Sequence, residues 1–422
     1  MAFDIARVRA LYPALADGHA YLDGAAGTQV PVPVIDAISA AYRAGIGNLG
    51  GAFEASARSE EIVAQARRAV ADLTGATPDG VAFGPSATEQ CYRVANALSR
   101  MWTADDEVVV SRLDHDSNIR PWIQAAARVG AVVRWAEADL ATGELPAAQY
   151  ADLVGPRTRV VAVTAASNAV GTRPDVAAIA AHAHSVGALC YVDGVHATPH
   201  VPVDVTALGA DFYATSAYKW SGPHVGAVVA APELLETIWP DKLAPSSNAV
   251  PWRFERGTLP FADLAGVAAA VDHLASLAPG NGSGDAGLGG TGSGGVGSGS
   301  TGSDSRRERV LASMAAVEAY EADLFTRLLG GLEELGVTLY GKAARRAPTA
   351  FFNVPGVPPQ AVAEHLAARG VNVWNGDNYA YELCTALGLE PDGAVRAGLV
   401  HYNDASDVER LLAGVAELTT AA

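Results

Sequence analysis

Short apolar runs and amphipathic stretches alternate along most of this 422-residue chain. Residues 81–83, 107–110, 132–135, 160–164, 188–193 and 211–215 are compact runs rich in valine, alanine and aromatics. They read as buried strands, because a strand covered on both faces need not alternate. Residues 34–43, 56–73, 174–186 and the stretch from Ser86 to about Arg100 carry apolar side chains at helical spacing. Residues 5–15 read as a shorter amphipathic helix. Strands alternating with helices predict an α/β fold with a parallel sheet.

The pattern changes near residue 305. A long helix over 306–335, strands at 337–340, 349–354 and 371–374, and helices at 359–369 and 406–418 predict a compact α+β C-terminal domain. Between the two patterns lies 279–305, a Gly/Ser-rich tract whose sizeable apolar side chains are Leu288 and Val296 alone. Such a tract cannot offset its ordering entropy by burial, so a flexible surface insertion is expected. It holds a formal GxGxxG match at 292–297, but no strand precedes it and no helix follows at once, so a dinucleotide site is rejected. The expected organisation is an N-terminal segment (1–20) packed on the small domain, a large domain (21–278), the insertion (279–305) and the small domain (306–422).

Half of the residues are hydrophobic, enough for a large core. A net charge of −17 argues against nucleic acid or an anionic membrane as partner. Three scattered cysteines, Cys91, Cys190 and Cys384, suit neither a disulfide framework nor a zinc site. No metal is expected. The N-terminus lacks a signal-peptide apolar core and no run is long enough to span a membrane, so a cytoplasmic location is expected.

Two stretches carry the sharpest chemistry. Lys219 follows the 211–215 strand among apolar and aromatic neighbours, with no acid beside it in sequence. Burial penalises an ammonium, so such a lysine is a candidate imine-forming nucleophile, although a snorkelling lysine would have the same neighbours. Upstream, the 188–193 strand ends in Asp193, then glycine. An acid at the carboxyl end of a buried strand stands where open α/β sheets bind ligands. Pyridoxal 5′-phosphate needs such a pair: a lysine for the imine and a carboxylate to keep the pyridine nitrogen protonated. Ser86, Ala87 and Thr88 open a helix after a Gly-Pro turn, which suits a phosphate cradle or a plain N-cap. His115, Asn168 and Arg396 stand at or beyond strand-like runs; alone His115 reads more often as loop polar surface, Asn168 as a turn residue, and Arg396 equally as a surface ion pair.

Val192-Asp193-Gly194-Val195-His196, Ser216-Ala217-Tyr218-Lys219 and Arg396-Ala397-Gly398 through Tyr402-Asn403 together resemble class V of the fold-type I pyridoxal-phosphate enzymes. That class holds cysteine desulfurases, several aminotransferases, isopenicillin N epimerase and related lyases. The similarity runs from about residue 21 to about 412. It implies a large domain built on a mostly parallel seven-stranded sheet, a smaller C-terminal domain, and a homodimer with shared sites. It further implies that Ala87, Thr88, Ser216 and Tyr218 hold the phosphate, and that Thr258 reaches the partner subunit's phosphate. By the same match His115 (in His-x-x-Asn-x-x-Pro-Trp) stacks on the ring and shuttles protons, Asp193 meets the ring nitrogen, and Lys219 forms the imine. His196 stands where desulfurases commonly have glutamine, near the phenolic oxygen. Asn168 meets that side of the cofactor and the substrate carboxylate, and Arg396 takes the α-carboxylate of a small amino acid.

One departure decides the expected reaction. Desulfurases carry a sulfur-accepting cysteine in the loop that here reads Trp374 to Cys384, and the aligned position is Tyr379. Cys384 reads as a buried structural thiol in an apolar helix. An aminotransferase or a β-eliminating C–S lyase is therefore favoured. The alternatives are a desulfurase using Cys384, an amino-acid epimerase, or a silent binding protein on the same fold.

Overall fold

A computed structural model of the protein describes residues 3–278 and 305–419. Strand β1 (Ala20–Tyr21) precedes a sheet of seven: β2 (Val81–Gly84), β3 (Glu107–Ser111), β4 (Val132–Ala136), β5 (Thr158–Thr164), β6 (Leu189–Asp193), β7 (Phe212–Ser216) and β8 (Gly226–Ala230). Their spatial order is β2-β8-β7-β6-β5-β3-β4, and only β8 pairs antiparallel to its neighbours. The fold is the expected α/β arrangement with a mostly parallel sheet. Apart from the exposed Arg159 and the half-buried Leu189 the inner strands are buried, which is why their sequences run apolar rather than alternating.

The remaining strands are β9 (Thr338–Tyr340), β10 (Thr349–Asn353), β11 (Val371–Asn372), β12 (Trp374–Gly376) and β13 (Ala394–Gly398). They form an antiparallel sheet, β12-β13-β10-β9, and a parallel pair, β1-β11. A separate apolar cluster backs this sheet, contributed by the helices Arg306–Glu334, Pro359–Ala367 and Ala405–Thr419, with Ala20 and Leu22 from the N-terminal segment. The 279–305 tract lies outside the described residues apart from Ser305. Ser305 caps the long helix through a reciprocal Ser305–Glu308 box.

Several element boundaries differ from expectation for local reasons. The first helix stops at Ala10 because Pro13 cannot continue it, and a 3₁₀ turn (Pro13–Asp17) follows. The single strand expected over 371–374 is two strands in two sheets, β11 and β12. Strand β8 and the helix Phe261–Ala275 had not been expected. That helix is apolar almost all round because it is packed between the helices Val32–Ala44, Glu54–Thr74 and Arg306–Glu334.

Candidate active site

Parallel β6 and β7 pair Asp193 with Ala214, so both strands deliver their carboxyl ends to one edge of the sheet. Asp193 is buried and accepts the Val195 N–H at 2.9 Å. Burial raises its pKa, while the Val195 N–H and Lys219 hold it down. After β7 the chain turns through Ala217–Lys219, which sinks Lys219 to 6 % exposure. Its Nζ donates to the Ala25 carbonyl at 2.8 Å, and among the described residues no carboxylate lies within ion-pair distance. Burial, then the neighbouring Arg396, pushes its pKa down to about 7, against a smaller opposing pull from Asp193. A neutral amine is thus accessible at physiological pH, as an imine-forming nucleophile requires.

The helix Ala87–Ser99 begins at the same edge. Ser86 caps it by accepting the Glu89 N–H at 3.1 Å, and the Ala87 N–H donates to the Ser216 hydroxyl at 3.2 Å. Gly226 of β8 lies directly behind this turn, where a Cβ would overlap the Ser86 and Ala87 backbone. The result is a helix N-terminus flanked by the Thr88 and Ser216 hydroxyls and Tyr218, a ready anion site.

His115 leaves β3 on a loop whose motif has a structural explanation. Asn118 Nδ2 donates to the buried Asp114 at 2.6 Å and its Oδ1 accepts the Trp122 indole N–H at 3.1 Å, which fixes the loop. His115 Nδ1 accepts the Ser117 N–H at 3.0 Å, so the neutral ring carries its proton on Nε2. Burial, then Lys219 and Arg396, depresses its pKa to about 3, and the ring is neutral.

Arg396 sits within β13, not beyond the small sheet's strands as expected, and is 5 % exposed. Its Nη1 donates to the Asn168 carbonyl at 3.0 Å, its Nε has no partner among the described residues, and burial lowers its pKa to about 10. Asn168 Nδ2 donates to the Asn378 carbonyl at 2.7 Å while its Oδ1 is buried without a partner. His196 is bonded through Nε2 to the Thr349 hydroxyl at 2.9 Å, and its Nδ1 is likewise buried and unpartnered.

These groups line one continuous depression. An inner cavity of about 60 Å³ is bounded by Ala87, Thr88, His115, Asn168, Asp193 and Lys219, with His196, Ser216 and Tyr218 completing its wall. It opens into a cleft of about 620 Å³ that shares Thr88, His115, Asn168, Tyr218 and Lys219 and adds Arg396. Thr258 is exposed and lines neither space in this chain. Cys384 is fully buried, its pKa pushed up to about 12 by burial, and it too lies off the lining. Tyr379 stands at the mouth, 70 % exposed. Sequence reasoning missed Thr349, Tyr92 and Arg120, and the bond from Lys219 to the Ala25 carbonyl. A backbone carbonyl leaves no side-chain signal, and Thr349 reads as an ordinary strand residue.

Pyridoxal 5′-phosphate fits these residues. Three buried polar atoms without a partner among the described residues (Asn168 Oδ1, His196 Nδ1, Arg396 Nε) belong to side chains that line this site, which also holds a buried lysine, a buried aspartate and a helix N-terminus. Each would be an unmet cost without a polar ligand. Among the described residues no group of side chains could hold a metal ion, and no helix is long and apolar enough to cross a membrane.

Comparison with known proteins agrees. The aminotransferase class-V family model matches residues 20–279 and 310–411. An uncharacterised protein of Mycobacterium tuberculosis is 36 % identical, covering 99 % of this chain and all of its own length. A probable cysteine desulfurase of Pseudomonas putida is 33 % identical over 95 % of each chain. Among solved structures, apo cysteine desulfurase from Thermococcus onnurineus superposes with a TM-score of 0.87 at 26 % identity, covering 100 % of this chain and 99 % of its own. A cysteine desulfurase of Escherichia coli gives 0.83 at 27 % identity with the same coverage. The chain belongs to the aminotransferase class-V family of fold-type I, pyridoxal-5′-phosphate-dependent enzymes.

Proposed function

We propose that this enzyme is a C–S lyase that eliminates the β-sulfur of a small amino acid and passes no persulfide through a cysteine of its own. The observation that carries this reading is the mouth loop: Tyr379 stands against His115 where desulfurases place their cysteine, and Cys384 is buried with a raised pKa. The relatives named as desulfurases favour a sulfur-containing substrate and, as a second reading, desulfuration itself.

When bound, pyridoxal 5′-phosphate supplies the electron-withdrawing ring that makes a Cα proton removable. Ala87, Thr88, Ser216 and Tyr218 would hold its phosphate, and Asp193 would face its ring nitrogen. Arg396 takes the substrate α-carboxylate, for which a planar guanidinium is suited. Asn168 orients the same end. Lys219 would accept the Cα proton at Nζ. The Cα–H and Cβ–S bonds break, a Cα–Cβ double bond forms, and the thiolate leaves with the electron pair. The neutral His115 ring, with its proton on Nε2, would donate a hydrogen bond to the departing sulfur, and the thiolate would take its proton from the Lys219 ammonium or from water. With cysteine, water then completes the balance to pyruvate, ammonia and hydrogen sulfide. Free buried thiols at Cys91, Cys190 and Cys384 support a reducing, cytoplasmic setting. By the family resemblance the chain would form a homodimer, and Thr258, which is exposed and off this chain's own site, would serve the partner's site.

Incubation with L-cysteine tests the reading. Pyruvate and sulfide in equal amounts support the lyase; alanine in place of pyruvate indicates desulfuration. New amino acid from an amino donor and a keto acid, with no sulfide from cysteine, indicates an aminotransferase.

A further inference from the structure

The bond between His196 and Thr349 joins two parts of the chain that are 153 residues apart. His196 stands in the turn after β6, at the carboxyl edge of the large sheet, while Thr349 opens β10 of the small sheet. Both are buried, at 3 % and 0 % exposure. Burial first, then His200, Lys219, Arg396 and His115, holds the His196 pKa well below its usual value. The ring is neutral, and what remains open is which nitrogen carries its proton.

Hydrogen-bond accounting settles that. Among the described residues the Thr349 hydroxyl has no partner except His196 Nε2, and His196 Nδ1 has none. If Nε2–H donated to the threonine, the buried hydroxyl proton would have no acceptor. Nδ1 would then be left with an unpaired lone pair. If the hydroxyl donates to Nε2, the threonine is satisfied and Nδ1–H is the one donor left over. A donor beside an oxygen-bearing ligand is satisfied on binding, whereas a stranded hydroxyl proton is not. The threonine is itself fixed: its N–H donates to the Ala347 carbonyl at 2.7 Å and its carbonyl accepts Arg346 Nη2 at 3.0 Å.

We propose that Thr349 is a positioning residue that holds His196 as the Nδ1–H tautomer, making His196 the donor to the cofactor's phenolic oxygen. The second half rests on the placement of that oxygen beside His196; the tautomer does not. At this position a histidine can face the ligand as donor or as acceptor, and the neighbouring strand makes the choice.

Two measurements separate the halves. In ¹⁵N-histidine spectra of the apo-protein, the His196 signals are identified among the ten histidines by their loss in His196→Gln. The proton is expected on Nδ1, moving to Nε2 in Thr349→Val and returning in Thr349→Ser. A proton on Nε2 in the unaltered protein would overturn the tautomer. In the holoenzyme, the pH midpoint of the yellow cofactor band is expected to rise by about one unit, tenfold in the proton equilibrium, in Thr349→Val. It should stay put in Thr349→Ser. In a His196→Gln background, whose amide always offers a donor, Thr349→Val should shift nothing. An equal shift in both backgrounds, or no shift in either, would overturn the role assigned to the pair even with the tautomer correct.

Discussion

Tyr379 lies nearly parallel to the His115 ring, with centroids 5.3 Å apart and planes inclined by 23°. It does so in a left-handed conformation, φ 60°, directly after Asn378 at φ 53°, in a turn closed by the Ala380 N–H to the Asp377 carbonyl at 2.9 Å. Asparagine tolerates this region; a tyrosine there is strained. The surroundings impose it, since the Asp116 N–H donates to the Tyr379 carbonyl at 2.7 Å and Asn168 holds the Asn378 carbonyl. Tyr379→Gly exchanges the stack for relief of strain, each worth about 1 kcal/mol, so its stability should stay near that of the unaltered protein. Tyr379→Val loses the stack and keeps a β-branched residue at positive φ, so it should fall by about 2 kcal/mol. Denaturant unfolding of the two variants checks the pair.

Cys384 bears on the reaction. Its Sγ lies 3.8 Å from the Asp377 carbonyl, in a fully buried position. Cys384→Ser keeps a donor there and should cost about 1 kcal/mol of stability while leaving the rate of product formation from cysteine unchanged. Sulfide release that disappears with this thiol would return the desulfurase reading.

Lys219 gives a pH signature. With its pKa depressed to about 7, the amine is neutral above that pH, whereas an ordinary lysine would still be gaining neutral fraction at pH 10. Loading of the apo-protein with pyridoxal 5′-phosphate should speed up through pH 7 and then level off, followed by the visible band. The linkage has a definite sign. Between the folded pKa of about 7 and the unfolded value near 10.4, the unfolded chain binds more protons, so apo-protein stability rises with pH across that window. Lys219→Met should therefore stabilise the apo-protein at pH 7, with the gain shrinking as pH rises.

Gly226 tests the phosphate cradle from behind. A Cβ there would overlap the Ser86 and Ala87 backbone at the start of the helix that closes the site. Gly226→Ala should push that turn away from Ser216, weaken cofactor affinity at least tenfold and cost about 2 kcal/mol of stability. A cofactor titration by fluorescence quenching reads the first effect.

Much of this arrangement was legible in the chain. The strands ending at Asp193 and Ser216 announced themselves as apolar runs. Their chemistry-bearing residues stand at strand ends, where α/β sheets bind ligands. Ala87, Thr88, His115, Asn168, His196 and Arg396 do share one depression with Lys219. What was hidden is tertiary. Strand β8, Gly-Ala-Val-Val-Ala, is short and follows a Gly-Pro turn, so only pairing with β2 and β7 identifies it. The helix Phe261–Ala275 lacks a polar face because three helices surround it. Arg396 owes its burial to the register of β13 between β10 and β12, which no local pattern encodes.

The central claim is that Lys219 carries the cofactor. The chain has three lysines, at positions 219, 242 and 342. Borohydride reduction of the yellow holoenzyme followed by peptide mapping should therefore place the pyridoxyl group on one of three peptides. It is expected wholly on Lys219, with no reducible colour in Lys219→Ala. A label on Lys242 or Lys342, or a colourless protein that takes no label at all, would contradict it.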